Sequence, residues 1–257
     1  MTADHPIQLP DHGTEGRLWA AVLDVAHAQP NGWTLIGALM VMLHAHDHGL
    51  DARRTTRDAD ALVDVRGLSQ ATRRLVVTLE HLGWQLHPDH PTADDLGFRF
   101  VKDGLLFDVL APDGLGQRTD LTTLPPLKTV PIAGGSRALN RTTIRDVVLG
   151  DRVGRLRVPD LLGALVIKSR AATADRTATA DPGHRAERHP EDLATLYACA
   201  TDLRTLAADT TNRDRRNLQD APEPHWHVLE PGLRPQAQAA HRYLTSPGAP
   251  DQSRGRR

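Results

Sequence analysis

The chain has 257 residues, enough to bury a real core as one or two domains. Hydrophobic residues make up 39% and charged residues 25%, the balance of a globular protein rather than a disordered one. The net charge of −1 excludes a bulk basic coat for nucleic acid and leaves room for a local basic surface.

No apolar run reaches the roughly 18 residues of a membrane span. The opening MTADHPIQLPDHG lacks the basic start and apolar core of a signal peptide. Cys199 stands alone, so an internal disulfide and a cysteine-based zinc site are excluded. Together these lead to the expectation of a cytoplasmic protein without membrane contact. Basic residues are nearly all arginine, and lysine occurs only at Lys102, Lys128 and Lys168.

In chain order, residues 1–13 read as an irregular arm broken by Pro6, Pro10 and Gly13. Thr14 to Ala28 reads as a helix, with Leu18, Ala21, Val22 and Val25 on one face. Pro30-Asn31-Gly32 ends it. Trp33 to Ile36 is a short apolar strand that breaks at Gly37, and an apolar helix runs from Ala38 to about His46. A loop with Arg53, Arg54, Thr55, Thr56 and Arg57 leads to Asp58 and Asp60, then to a strand from Ala61 to Val65. In extended chain Asp58 and Asp60 share a face, roughly 6–7 Å apart at the backbone. Two carboxylates so placed can converge on a hard cation. A solvated turn is the plainer account of the pair taken alone.

Ser69 is a good N-cap for a helix to about Leu82, stopped by Gly83. Trp84 to His87 reads as a short strand and Pro88 to Asp95 as a polar loop. Gly97 to Lys102 and Leu105 to Leu110 read as two strands joined at Asp103-Gly104, a strong hairpin signal. Asp108 then shares a face with Leu106 and Leu110, opposite Leu105, Phe107 and Val109. A carboxylate among apolar neighbours needs a partner or a metal; an edge position facing water is the alternative. Pro112 to Pro126 is a turn-rich loop and Lys128 to Ile132 a short strand. Gly134-Gly135-Ser136 reads as a turn before a short helix, Arg137 to Arg141, rather than as a phosphate cradle. Thr143 to Leu149 and Gly154 to Val158 form a last hairpin.

The pattern then becomes helical. Pro159 suits the first turn of a helix to about Thr173. Lys168 interrupts its apolar row of Leu161, Leu165 and Ala172, so its ammonium either meets an anion or snorkels to water. Ala174 to His189 reads as a polar loop. A helix then opens at His189-Pro190-Glu191-Asp192, where Asp192 could simply complement the helix dipole. A further helix runs from about Ala207 to Leu218, and residues 223–257 read as largely irregular or disordered. His44, His46 and His48 beside Asp47 read as a frayed polar helix end.

One order of motifs stands out: strand, Gly37, helix, Arg54-x-Thr56-x-Asp58-x-Asp60, strand. It resembles the nucleotidyltransferase superfamily, with the DNA polymerase beta-like fold, and most of all the AbiEii-type bacterial toxins that include the MenT enzymes. Where that family carries Gly-Gly or Gly-Ser at the helix start, this chain has Gly37 and Ala38. The resemblance spans most of residues 33–206. It implies an α/β (α+β) fold: a mixed sheet with flanking helices over residues 1–158, a helical C-terminal lobe over 159–222, and an active site between them. It implies Asp58 and Asp60 as ligands of Mg²⁺, with Mn²⁺ as an alternative, and Asp108 as the third metal carboxylate. It places Gly37, Ala38 and Arg57 with the nucleotide. Lys168 matches the lysine of the third motif and contacts the triphosphate. Arg185, Arg188 and Asp192 match the fourth motif, with Asp192 orienting Lys168 or serving as an acid–base group. The implied reaction moves a nucleotidyl group from an NTP to an acceptor hydroxyl. The expected acceptor is the tRNA 3′ end, and a cognate antitoxin is the expected partner. A small-molecule or protein acceptor, or a catalytically silent relative that binds nucleotide or RNA, is the alternative.

Overall fold

The computed structural model describes residues 5–51, 56–92, 94–177 and 188–246. The chain is of the mixed α+β class and divides into two compact units, residues 1–159 and 160–257. The first carries all the strands found among the described residues, and the described elements of the second are helical.

In the first unit a sheet is ordered β2-β3-β6-β5-β4. Its strands are β2 (Trp33–Ile36), β3 (Asp58–Val63), β4 (Gln85–Leu86), β5 (Arg99–Lys102) and β6 (Leu105–Pro112). A short strand β7 (Pro131–Ile132) adds to β6 in parallel. The two central strands, β3 and β6, also run parallel. β6 is buried along its whole length and apolar but for Asp108, as a strand covered on two faces is, while β3 alternates at its start and is fully buried only from Ala61 to Val63.

One face of this sheet carries Ala59, Ala61, Val63, Phe100, Phe107 and Val109. It is packed into one core with α1 (Gly13–Ala28), α2 (Gly37–Asp47) and α3 (Ala71–His81). Trp33 and Trp84 meet Phe107 edge-on, with ring centroids 6.2 and 5.5 Å away. At the turn of the β5–β6 hairpin, Asp103 and Gly104 both take positive φ, 51° and 76°. Those are the dihedral signs of a two-residue hairpin turn, and they fix the register of the pair.

A second, smaller sheet is ordered β1-β8-β9, from β1 (Ile7–Leu9), β8 (Thr142–Leu149) and β9 (Arg152–Pro159). Here the structure corrects the sequence reading. The arm is irregular only in part: Ile7 and Leu9 alternate inward, and β1 pairs in parallel with β8. Three residues between prolines give too short a period-2 signal to read. Pro159 ends β9 and does not start a helix; the next helix, α5 (Leu161–Thr177), is opened by Asp160, whose carboxylate accepts from the Gly163 amide at 2.9 Å. Ser69 does not cap α3. Gln70 occupies that place with φ 57° and no side-chain cap. His44 is not frayed: it is buried, and its Nε2–H donates to the Pro159 carbonyl at 3.0 Å.

The glycine-led turn at residues 134–136 does precede a short helix, α4 (Gly135–Asn140). Its amides are already used: Gly134 and Ser136 donate to the Asp113 carboxylate at 3.0 and 2.9 Å. These bonds hold the Asp113 carboxyl below its ordinary value against the opposing effect of burial.

The second unit contains α5, α6 (Arg188–Ala198), α7 (Leu203–Asp209), α8 (Asn212–Asp220) and α9 (Arg234–Thr245). The single helix expected over 207–218 is two helices. Thr211 starts the second with a reciprocal capping box: its hydroxyl accepts from the Asp214 amide, and the Asp214 carboxylate accepts from the Thr211 amide. The segment from 223 is also more ordered than its prolines suggest. Pro235 sits in the first turn of α9, where a proline is tolerated, and Ala237, Ala240 and Leu244 are buried along one face. Residues 247–257 lie outside the described residues. No described helix is long and apolar enough to cross a membrane.

Candidate functional site

The candidate site lies on the face of the first sheet opposite the shared core. Side chains alternate along a strand, so Asp58 and Asp60 of β3 project to one face and Ala59 to the other. Asp60 is the register partner of Asp108 on β6, and Asp108 is the partner of Arg99 on β5. Cross-strand partners share a face. Four ionised side chains from three adjacent strands therefore meet on one patch of sheet: Asp58, Asp60, Asp108 and Arg99.

The start of α2 closes over Asp60. Ile36 is the register partner of Asp60 on β2, and Gly37 follows directly with φ 72°. A Cβ on Gly37 would lie 1.7 Å from Asp60 Oδ2 and 2.7 Å from its Cγ. The site thus needs glycine here twice, for the backbone conformation and for the room Asp60 takes. Ala38, the next residue, is buried and offers only a methyl group and its backbone amide.

Asp58 is braced by Thr56, whose hydroxyl accepts from the Asp58 amide at 3.1 Å. Its carboxylate is less committed. Oδ1 is sealed from solvent and makes no hydrogen bond, with the Arg57 Nε 4.0 Å away. The Arg57 side chain is 69% exposed. Asp108 differs. Its side chain is only 7% exposed, and Arg99 grips both oxygens in a fork, Nε to Oδ1 at 2.8 Å and Nη2 to Oδ2 at 2.7 Å. That hydrogen-bonded fork, together with the charges of Asp108, Asp58 and Asp60, pushes the Arg99 guanidinium further toward its charged form, against the opposing effect of burial.

Asp58 and Asp60 bring oxygen ligands of the kind Mg²⁺ takes, and the orphaned Asp58 Oδ1 is a buried acceptor awaiting a donor or a cation. No group of three or more His, Cys, Asp or Glu side chains is arranged to hold a metal ion among the described residues.

The second unit holds a separate charged pair. Lys168, on α5, donates to Asp192 Oδ2, on α6, at 2.7 Å, and both side chains are buried, 6% and 3% exposed. His189 adds to it: its Nδ1 lies 4.0 Å from Asp192 Oδ2 and its Nε2 3.4 Å from Asp175 Oδ2. Lys168 therefore meets an anion instead of snorkelling to water.

The arginines at 53, 54 and 185, read from the sequence as flanking or motif residues, lie outside the described residues. Arg188 is exposed at the start of α6. Arg99 was missed in reading the sequence, although the hairpin carried the signal. A two-residue turn at 103–104 pairs Lys102 with Leu105, and counting outward puts Arg99 opposite Asp108.

No protein-family model matches the chain, and no curated protein matches it significantly.

Proposed function

We propose that the protein is a Mg²⁺-dependent nucleotidyltransferase that moves a nucleotidyl group from an NTP to an acceptor hydroxyl. The observation that carries this reading is the Asp58–Asp60 pair on one face of β3, with the Asp60 carboxylate set against Gly37 at the start of α2. A strand pair of carboxylates beside a glycine-led helix start can serve two parts of a triphosphate together. The carboxylates take the cation that accompanies it, and the positive end of the helix favours phosphate oxygens.

On this reading Asp58 and Asp60 hold the divalent ion, which when bound stabilises negative charge on the triphosphate and on the departing pyrophosphate. Gly37 and Ala38 contribute backbone amides to the phosphates, and Arg57 adds charge from the rim. The acceptor oxygen forms a bond to the α-phosphorus as the α–β phosphoanhydride bond breaks, and the hydroxyl proton passes to a carboxylate of this face. Lys168, which donates to Asp192, takes the part of the third-motif lysine by the motif resemblance alone. The acceptor assigned is the tRNA 3′ end, with the protein acting as a toxin held by an antitoxin; this rests on the motif resemblance.

The second reading, a silent nucleotide- or RNA-binding relative, draws on one observation: both Asp108 oxygens are engaged by Arg99. The deciding experiment incubates the protein with α-³²P-labelled NTPs, Mg²⁺ and total tRNA, alongside Asp60→Ala and Lys168→Ala. Label on tRNA with wild type alone is the expected outcome. Label on another acceptor moves the assignment to that acceptor. NTP binding without transfer to any acceptor favours the silent relative.

A further inference from the structure

We propose that the surface around the Pro30–Asn31 turn docks a protein partner through an acidic segment that also carries aliphatic side chains. The proposal is independent of the nucleotidyl-transfer reading, because none of Asp58, Asp60, Asp108 and Arg99 lines this surface.

Two grooves flank the turn, and Ala28, Pro30 and Asn31 line both. The larger, about 990 Å³, runs from the end of α1 to β8 and β9. The smaller, about 510 Å³, runs to α3. Arg152, Arg155 and Arg157 line the larger groove, and Arg73 and Arg74 the smaller. The carboxylates in the two linings are Asp24 and Asp146. With His27 counted as neutral, five arginines and two aspartates give +3, in a chain whose net charge is −1. Both aspartates are already answered: Arg152 meets Asp24 at 2.6 Å and Arg155 meets Asp146 at 3.5 Å. Asp120, outside both linings, stands in the field of Arg73. Arg157 differs, since its Nε is sealed from solvent and makes no hydrogen bond. A buried donor calls for an acceptor, and a guanidinium is matched in charge and shape by a carboxylate.

The same surface gathers apolar groups. Four large hydrophobic side chains are exposed among the described residues, and three of them, Val77, Ile144 and Val153, line these grooves, Val153 at 76% exposure. Exposed aliphatics scattered singly are ordinary, whereas a cluster rimmed by charge marks an association surface. Ile144 is the register partner of Arg157, so aliphatic contact and positive charge lie on one face of the β8–β9 pair. Among the described residues no Phe, Tyr or Trp lines either groove, so the bases of a nucleic-acid strand have no indole or phenyl platform to stack on. Arginine beside aliphatic side chains instead suits a protein segment that presents Asp or Glu together with Val, Leu or Ile.

The test is fluorescence anisotropy of the full chain with a fluorescein-labelled peptide of alternating Glu and Val, about twelve residues long and roughly 40 Å when extended. Wild type should bind it with a Kd below about 1 mM. Peptides of alternating Glu and Ser, or Lys and Val, should bind at least about fivefold more weakly. Arg157→Gln, Val153→Ser and the pair Arg73→Gln/Arg74→Gln should each weaken binding about fivefold or more, the loss that truncating an interface contact brings. Val153 is exposed, so Val153→Ser keeps the test decisive even if Arg157→Gln fails to fold. Arg213→Gln and Tyr243→Ser, exposed positions in neither lining, should bind as wild type does, and so should Asp60→Ala.

No binding by wild type overturns the proposal, and so does binding that none of the groove variants weakens. A Glu–Ser peptide bound as tightly as Glu–Val, with Val153→Ser silent, reduces the surface to an anion site and overturns the protein assignment. An oligouridylate of equal charge that binds more tightly than the peptide, and is lost with Arg157→Gln, overturns it in favour of RNA.

Discussion

Two ion pairs in this protein meet at the same 2.7 Å and are built from different materials. Arg99–Asp108 is a two-point fork set by hairpin register, with the guanidinium side chain 37% exposed. Lys168–Asp192 is a single contact between helices, with both side chains almost fully buried. The comparison separates contact length from energetic consequence. A half-wet guanidinium that loses its partner is taken over by water. An ammonium at 6% exposure has no such recourse, and its desolvation is compensated only while Asp192 faces it.

The sharpest test of that difference is to break each pair from one side. Lys168→Met should lower stability by about 3–5 kcal/mol, because it removes the ammonium hydrogen-bonded to a buried carboxylate. The double change Lys168→Met/Asp192→Leu should recover most of the loss, since a packed apolar pair carries no desolvation cost. Asp108→Asn should cost less than about 1 kcal/mol, since water takes over the half-exposed Arg99 guanidinium that it releases. Urea unfolding midpoints of the variants decide the matter. A small loss for Lys168→Met would show that His189, 4.0 Å from Asp192, already serves as its counter-ion.

His44 shows a third solution, in which a buried titratable group avoids charge altogether. Burial pushes its pKa from 6.5 down to about 4, with the hydrogen bond to Pro159 opposing the shift. His48 and Arg145 lower it further, and Asp47 raises it. The unfolded chain binds this proton first as pH falls, so the neutral His44 contribution is complete above about pH 6.5 and is lost toward pH 4. The shift corresponds to roughly 3 kcal/mol, an order-of-magnitude figure. Wild type should therefore lose stability between pH 7 and 4.5 more steeply than His44→Gln, whose amide can still donate to the Pro159 carbonyl. Equal slopes would place the acid sensitivity elsewhere.

The sequence made the central strands legible because their signals were local. The Asp103-Gly104 turn, the apolar run before Gly37 and the alternation around Asp108 each fall within a few residues, and the strands formed as those signals indicate. Asp58 and Asp60 were read as a loop entering a strand, whereas β3 begins at Asp58 and carries both. What stayed hidden depended on distant partners. β1 is visible only once β8 lies beside it. Asp113 takes up the amides of the Gly134 turn from 21 residues away. α9 is built on alanines, whose burial is a matter of close helix approach rather than strong hydrophobicity. The Arg99 fork lay between these cases, since the hairpin register implied it and no motif named it.

Gly37 lets the comparison reach the candidate site itself. Gly37→Ala should cost about 2 kcal/mol, from a left-handed backbone that alanine resists and from displacement of the Asp60 carboxylate. It should also weaken Mn²⁺ binding by moving one of its two proposed ligands. Gly135→Ala is a useful contrast. Its Cβ would meet the Pro112 backbone at 2.8 Å, so that variant strains the fold without touching Asp60. Thermal melts and Mn²⁺ titrations of both variants should therefore separate: both lose stability and only Gly37→Ala loses the ion.

The smallest stability effect is expected where the functional effect is largest. Asp58 shares its face with Asp60 and Asp108, and its Oδ1 has no hydrogen bond to lose. Like charges on adjacent positions repel, so Asp58→Asn should leave stability unchanged or raise it by up to about 1 kcal/mol. A carboxylate that faces a buried cation, as Asp192 faces Lys168, cannot behave so. An Asp58→Asn variant that melts at or above the wild-type temperature and has lost Mn²⁺ affinity would mark Asp58 as a residue held for binding at a cost in stability. A variant that melts well below wild type would instead tie Asp58 to Arg57 or to the start of β3, and the two charged regions would then differ only in degree.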